Sequence, residues 1–420
     1  MSTTIDTRQN PITAAIKIAG IGKKGSQNLP KELILEIETQ WNNPLINPAS
    51  KGALLGGLLM KGLTTEEQDL LNALGLDNSN PASLIESISP EAPSAIKNIY
   101  IKLLNKEELS LAKAQTLGDF LFSSLPGDIL RGLAASILRV RYETADEYEG
   151  LLKSAQKTFS PPFLKAPTPN APIIQLAEPF DGVDHSTMIT PLLADYLASQ
   201  GFIPVSLVGR NSGPKMIMNL KDIAVKINGC FIKNPSDLNN SLPDYGYYLD
   251  QADLSIAIDR WVDIRRVIIK RPFMATIERF LNPLHADILI ASAFHPPYGE
   301  KMMTLAERAG FKGAIIIRNG IEGTTAFALL RSSKILASVQ LADKKFLRKE
   351  FDFDSQRILG HTVSVEEKIE FPSADRNAAL INQFKKEGQT GNILFNLRVK
   401  ATCQGIQQAI DWITHQRRSE

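Results

Sequence analysis

The sequence has little of what marks secreted, metal-rich or membrane-spanning proteins. Its 420 residues include only two cysteines, too few for a disulfide framework or a cysteine-rich zinc module. The net charge of +2 gives no overall basic excess that would point to nucleic acid. The longest strongly apolar run near the N-terminus, residues 53–60, is far shorter than the ~20 residues that span a bilayer. The first residues are polar and contain no secretory segment, so we expect a cytoplasmic protein without a membrane partner.

Glycine is also scarce at a turn where it would be expected. Residues 173–187 predict an apolar strand, a turn with a single glycine and the start of a helix. This layout is typical of phosphate sites, in which backbone N–H groups and the helix dipole receive an anion. However, Glu178 stands where a diphosphate would need close contact with the backbone, and two like charges repel each other. The predicted phosphate-site residues are Asp181, Gly182, Ser186 and Thr187, with Asn211, Ser212 and Lys215 from a second polar segment that could equally be a simple β-turn.

The first part of the chain predicts helices and contains an internal repeat. A shift of 80 residues superposes Gly52 on Gly132 and Glu67 on Glu147 without a gap. Each of these acids follows a threonine that predicts a helix N-cap. We therefore expect two copies of a helical bundle, residues 12–76 and 94–157, joined by a linker at residues 78–93 that is rich in Asn, Ser and Pro.

Beyond a proline-rich linker at residues 158–172, apolar strands alternate with helices. This alternation predicts an α/β domain at residues 173–417, with a mostly parallel sheet flanked by helices. The predicted strands lie at residues 173–176, 203–208, 254–258, 288–291 and 314–317. Helices are predicted at residues 189–200, 299–309 and within 374–417, and a charged hairpin or helix edge is predicted near residues 344–354.

In this order, these segments resemble the anthranilate phosphoribosyltransferases, whose catalytic domain is related to that of the pyrimidine nucleoside phosphorylases. The turn at Asp181 and Gly182 is similar to the diphosphate turn of that family, and residues 208–215 are similar to its later anion loop. Arg271 precedes Asn282 by eleven residues, as the family's acceptor-pocket arginine does. Residues 320–323 resemble the turn before the family's magnesium-binding acids. The match is closer to the YbiB-like branch, on residues 292–298 and 319–323 and on Arg260-Trp261.

The resemblance implies a small helical domain, here present twice, and a homodimer formed through it. Transfer from phosphoribosyl pyrophosphate would need Mg²⁺, but Thr324 and Thr325 stand where the magnesium-binding acids would be. Asp181, Asp184, Asp222 and Glu322 remain as possible metal ligands, although each is more typical of a surface or capping acid. Of these, Glu322 is the weak candidate for a metal ligand, and Mg²⁺ is expected only if transferase activity persists. His295 follows an apolar strand and is, with Arg271, a candidate residue of the acceptor pocket, although a lone histidine is more often a hydrogen-bonded structural group.

Basic residues cluster in residues 260–279, called the basic stretch below, which carries a net charge of +4. Trp261 and Phe273 in this stretch could stack on bases. A solvated helix face with internal ion pairs explains the pattern as well as nucleic-acid binding does. The candidate nucleic-acid-binding residues are Arg260, Arg265, Arg266, Lys270, Arg271 and Arg279.

Three functional classes follow from these patterns. The first is a nucleic-acid- or polyanion-binding protein with a degenerate phosphate site. The second is an active phosphoribosyltransferase with an aromatic acceptor. The third is a scaffold whose doubled helical region pairs with itself inside one chain or builds a larger assembly.

Overall fold

The computed structural model describes residues 10–20, 22, 25–293, 296–360 and 362–418. The chain divides into two compact units. One contains the residues up to Thr158 together with Arg260–Ile277, and the other contains Phe159–Asp259 and the residues from Glu278 onward. The basic stretch therefore belongs mostly to the helical unit, although the sequence placed it in the α/β domain.

Among the described residues, nine α-helices come first: α1 Pro11–Ala19, α2 Lys31–Gln40, α3 Pro48–Lys61, α4 Thr65–Ala73, α5 Pro81–Ile88, α6 Ser94–Leu104, α7 Leu111–Leu121, α8 Asp128–Arg141 and α9 Ala145–Gln156. Next come β1 Ile173–Ala177, α10 Thr190–Ser199, β2 Ile203–Val208, α11 Leu220–Lys226, β3 Cys230–Phe231, β4 Tyr247–Asp250, α12 Gln251–Leu254, α13 Ile256–Asp259, α14 Trp261–Ile268 and α15 Met274–Phe280. The last are β5 Ile288–Ala293, α16 Pro296–Arg308, β6 Gly313–Arg318, β7 Ser333–Gln340, β8 Phe346–Phe353, α17 Ser355–Leu359, α18 Ala374–Glu387 and α19 Ile393–Arg418. Within the described ranges, no helix is both long enough and apolar enough to cross a membrane.

The helical unit is built around α3 and α8. Ten of the fourteen residues of each helix are buried, as expected for helices that occupy the centre of a bundle. The helices that follow them, α4 and α9, begin with the same capping box, Thr64 with Glu67 and Thr144 with Glu147. Each box satisfies N–H groups that the first turn of a helix would leave unpaired.

Two segments that the sequence predicted as linkers are structured. Residues 78–93 contain α5, because Asn80 caps the amide of Ser83 and Pro81 suits the first helical turn. Leu84 and Ile85 are buried and hold this helix in place. In the proline-rich segment, Pro161–Leu164 forms a 3₁₀ helix, and the Ser160 backbone N–H donates to the carbonyl of Leu254.

In the described part of the second unit, eight strands form one sheet in the order β3-β4-β2-β1-β5-β6-β7-β8. The pairings from β3 to β6 are parallel, and β7 and β8 add an antiparallel hairpin. This confirms the mostly parallel sheet flanked by helices. β1, β2 and β5 are buried along their whole length, because helices cover both faces of such a sheet.

The predicted strand at residues 254–258 is wrong. The strand of this region is β4, and residues 254–258 fall in α12 and α13. Asp250 starts α12 by accepting a hydrogen bond from the Ala252 amide, so a side-chain cap overrides the β-branched character of the apolar run that follows. The charged hairpin was placed correctly, since the turn between β7 and β8 contains Lys344.

Candidate functional site

The candidate site lies in the second unit, at the carboxyl edge of the parallel strands. The turns that follow β1, β2 and β6 meet there, because parallel strands end at the same edge of a sheet. They bring together the turn at residues 178–187, Lys215 from the turn after β2 and Glu322 from the turn after β6. Ligands of α/β proteins bind at such an edge.

The Glu322 carboxylate binds to the turn after β1. Its Oε2 accepts from the backbone N–H of Asp184 at 2.8 Å. Its Oε1 accepts from the backbone N–H of His185 and from Ser186 Oγ, both at 2.8 Å. Lys215 Nζ donates to Oε2 at 2.6 Å and to the carbonyl of Gly182 at 3.1 Å. The donors that could bind an anion therefore bind a carboxylate of the same chain.

The electrostatics of Glu322 are those of a well-bound anion. Burial by itself would raise its pKa, but hydrogen bonds from Lys215 and from the amides of Asp184 and His185 outweigh burial. The Lys215 charge adds to this effect, and the pKa of Glu322 lies below its ordinary value. Its backbone has φ 49°, a left-handed conformation that is uncommon for a residue other than glycine. The turn thus carries some local strain to hold this carboxylate against the amides.

Two further carboxylates, those of Glu367 and Glu178, are hydrogen-bonded at the same site. Glu367 accepts from the backbone N–H of Thr187 at 3.0 Å and from its hydroxyl at 2.9 Å. Arg398, which is fully buried, pairs with Glu367 at 2.5 Å. Glu178 accepts from the Thr190 hydroxyl at 2.6 Å and from the backbone N–H of Thr325 at 3.1 Å. Burial raises the pKa of Glu178, and the hydrogen bonds from Thr190 and Thr325 only partly counter this.

Gly182 and Phe180 of this turn pack closely against other parts of the chain. Gly182 has φ +68°, and a Cβ there would lie 1.8 Å from the carbonyl oxygen of Met218. The open side of this glycine therefore packs against the chain's own backbone. Phe180 is buried, and its ring lies 2.6 Å from where a Cβ of Gly209 would be.

The other predicted phosphate-site residues have mixed positions. Asp181 and Ser212 are buried. Ser212 Oγ has no hydrogen-bond partner among the described residues, and the same is true of Asp184 Oδ1. Asn211 accepts from the backbone N–H of Gly213 at 3.3 Å, which is the contact of a polar turn. Burial also raises the pKa of Asp184, more than the nearby Lys215 lowers it.

Glu322 and Arg271, candidate metal and acceptor residues respectively, lie in different units of the structure. Among the described residues, no group of three or more His, Cys, Asp or Glu is placed to hold a metal ion. His295 lies outside the described residues. Arg271 lies in the helical unit, is partly exposed and interacts with other groups of the chain.

The basic stretch is less open than the sequence suggested. Arg265 and Arg279 are 1% and 8% exposed, so their guanidinium groups are not presented to a ligand. Trp261 and Phe273 are each 1% exposed, with ring centroids 5.1 Å apart. This burial corrects the expectation that these two rings stack on bases.

Four cations of the stretch remain at least partly exposed. They are Arg260, Arg266, Lys270 and Arg271. Arg266 also lies 3.8 Å from Asp263, one helical turn away. Burial lowers the pKa of Lys270 to about 8, and the charges of Arg139 and Lys17 act in the same direction. A bound polyanion would relieve this crowding of positive charge.

Sequence reasoning missed the cluster of Glu366, Glu367 and Arg398. Arg398 on α19 pairs with Glu366 at 2.7 Å and with Glu367 at 2.5 Å. Arg398 lies more than 30 positions from either acid along the chain, so no local spacing could have revealed the cluster.

Two solved structures with a similar architecture are named as the same enzyme. Anthranilate phosphoribosyltransferase from Thermus thermophilus superposes with a TM-score of 0.57 at 15% identity, over 76% of this chain and 90% of that one. The enzyme from Saccharomyces cerevisiae, in complex with PRPP and Mg, gives 0.57 at 14% identity, over 75% and 90%. The chain has the fold of the anthranilate phosphoribosyltransferases. At these identities the likeness shows the fold and not the activity.

Comparison at the level of sequence adds one relative. An uncharacterized protein of Aquifex aeolicus (strain VF5) is 23% identical over 219 residues, which are 52% of this chain. The match covers 65% of that relative, slightly less than two thirds of its length. No model of a known protein family matches the chain.

Proposed function

We propose first that, in this protein with the anthranilate phosphoribosyltransferase fold, the chain's own carboxylates close the phosphate site. We propose second that the protein binds a polyanion, most simply nucleic acid, through the helical unit. The observation that carries the first part is the Glu322 carboxylate on the amides of Asp184 and His185. The second part is supported by the partly exposed cations of the basic stretch.

The closed site argues against transfer from phosphoribosyl pyrophosphate. A diphosphate at this turn would have to displace Glu322 from two amides, a hydroxyl and Lys215. Hydrogen bonds that involve a charged group contribute about 1.5–3 kcal/mol each. Glu178 adds a second buried carboxyl group at the same turn, so the interior of the site favours a neutral or positive occupant.

Isothermal calorimetry with phosphoribosyl pyrophosphate and Mg²⁺ tests this part. We expect no binding heat at millimolar ligand. Saturable binding with one ligand per chain would show that Glu322 leaves the turn readily, and the closed-site proposal would then be wrong.

The polyanion part is tested by the salt dependence of nucleic-acid binding. Each phosphate neutralised on duplex DNA contributes about 0.9 to the slope of log affinity against log salt. Replacement of Arg266 and Lys270 by Ala should reduce this slope by about 2 if both contact phosphates. The matched control replaces Lys31 and Lys113, two exposed cations of the same unit, and should leave the slope unchanged. An equal slope in both variants would contradict the proposed surface.

An active transferase is the second candidate function. The buried Ser212 Oγ and Asp184 Oδ1, which have no partner among the described residues, favour it because a ligand could satisfy them. In this alternative Glu322 swings away, and Lys215 and the turn amides bind the diphosphate of phosphoribosyl pyrophosphate. The calorimetric titration with Mg²⁺ separates the two candidates.

A further inference from the structure

The two helical repeats contact each other in a reciprocal way within one chain. A Cβ on Gly52 of α3 would lie 1.8 Å from the carbonyl oxygen of Ile129. A Cβ on Gly132 of α8 would lie 1.8 Å from the carbonyl oxygen of Ala49. The 80-residue shift converts Gly52 into Gly132 and Ala49 into Ile129, so one contact is the image of the other. Such exchange defines an isologous interface, the kind that joins the subunits of a two-fold dimer.

The two repeats also have equivalent internal contacts, so their similarity extends beyond the contact between α3 and α8, called the α3–α8 seam below. The backbone N–H of Leu29 donates to Glu67 at 3.0 Å, and that of Leu109 donates to Glu147 at 2.9 Å. Each acid also pairs with a cation at the end of the preceding helix: Lys61 with Glu67 and Arg141 with Glu147, both at 2.5 Å. Two repeats with equivalent internal contacts and a reciprocal contact between them have the arrangement of two subunits in a dimer.

The α3–α8 seam is large and closely packed. Ten of the fourteen residues of each helix are buried, and the glycines let the backbones approach more closely than any side chain would allow. Gly56 extends the seam, since a Cβ there would lie 2.9 Å from the Cβ of Ser136. Unpaired, this face of one repeat would expose an apolar surface of the kind that draws proteins into association.

We propose that the α3–α8 seam is a dimer-type interface closed inside a single chain, so that the second repeat takes the place of a second copy and the protein is a monomer. This does not depend on the proposed function. It replaces the homodimer that the family resemblance implied with the internal pairing of the doubled helical region.

Sedimentation equilibrium of the unaltered chain is the first test. We expect 46.2 kDa across a wide concentration range. A stable particle of twice that mass would overturn the proposal, because the chain would then need a second copy.

Co-expression of two differently tagged copies of the chain distinguishes pairing within one chain from exchange between two. Purification through one tag should recover that copy alone, because each chain pairs its own two repeats. Recovery of both copies together would show that the repeats pair between chains, and this result would overturn the proposal.

Discussion

Replacement of Glu322 by glycine should open the phosphate site. Glycine is the suitable residue because position 322 has φ 49°, where alanine would be strained. The variant removes the carboxylate and leaves the amides of Asp184 and His185, the Ser186 hydroxyl and Lys215 available to an anion. We expect it to bind inorganic pyrophosphate, whereas the native chain should not.

The magnitude follows from the charge that is removed. A unit negative charge about 4 Å from the Glu322 carboxylate is repelled by about 4 kcal/mol at an effective dielectric constant of 20. This corresponds to about a thousandfold in affinity. A site with a dissociation constant of about 1 mM in the variant would thus shift to about 1 M in the native chain, beyond any titration. The Lys215–Glu322 pair is mostly buried, with side-chain exposures of 13% and 18%, so solvent screens this effect only in part.

Thermal unfolding with added pyrophosphate is the assay. At about a twentyfold excess over the dissociation constant, a ligand stabilises the folded state by about 1.8 kcal/mol, which shifts the melting temperature measurably. Glu387→Gln, which loses one exposed negative charge on α18, is the matched control and should show no shift. Lys215→Ala added to the glycine variant should remove the shift again.

The reasoning would be refuted by either of two results. The first is that Glu322→Gly binds pyrophosphate no better than the native chain, which would mean that the turn is not an anion site. The second is that the native chain already binds it at millimolar concentration, which would mean that Glu322 does not close the site.

The remaining predictions concern pH and packing. The pKa of Glu322 is lowered in the folded protein. The stabilisation that this provides is therefore present above the unfolded pKa of about 4.5 and is lost as the pH falls through the folded pKa. Urea unfolding between about pH 3 and pH 6 should thus show a smaller pH dependence of the unfolding free energy in Glu322→Gln than in the native chain. The pKa of Glu178 is raised in the folded protein, so the stabilisation that it provides is present below the unfolded pKa and is lost as the pH rises. Glu178→Gln should therefore gain stability relative to the native chain as the pH rises above about 4.5. A difference in unfolding free energy that stays constant with pH would contradict the raised pKa. Gly52→Ala and Gly132→Ala should each destabilise the protein by about 1–3 kcal/mol through overpacking, and by similar amounts, because their surroundings are equivalent. The matched control is Gly391→Ala, because a Cβ at position 391 meets nothing within 4 Å; it should change the unfolding free energy by less than about 0.5 kcal/mol. Similar losses of stability in all three variants would contradict the close packing of the α3–α8 seam.

Much of the fold could be predicted from local patterns. Apolar runs predicted β1, β2, β5 and β6, and the threonines at positions 64 and 144 marked helix starts that the structure confirms. These features depend on residues a few positions apart, so the sequence displays them directly. Local reasoning failed where a cap or a buried contact overrode composition, as at α5 and α12.

The turn after β1 shows the limit of this reasoning. The sequence by itself determined that the turn has one glycine and that Glu178 stands within it, and this was enough to predict a phosphate-site frame with altered chemistry. Only the tertiary structure decided what fills that frame, since Glu322 lies 138 positions from Asp184 and reaches it because parallel strands end at one edge of the sheet. It also decided that Arg265, Trp261 and Phe273 belong to the core, because burial depends on packing between elements that are distant in the chain.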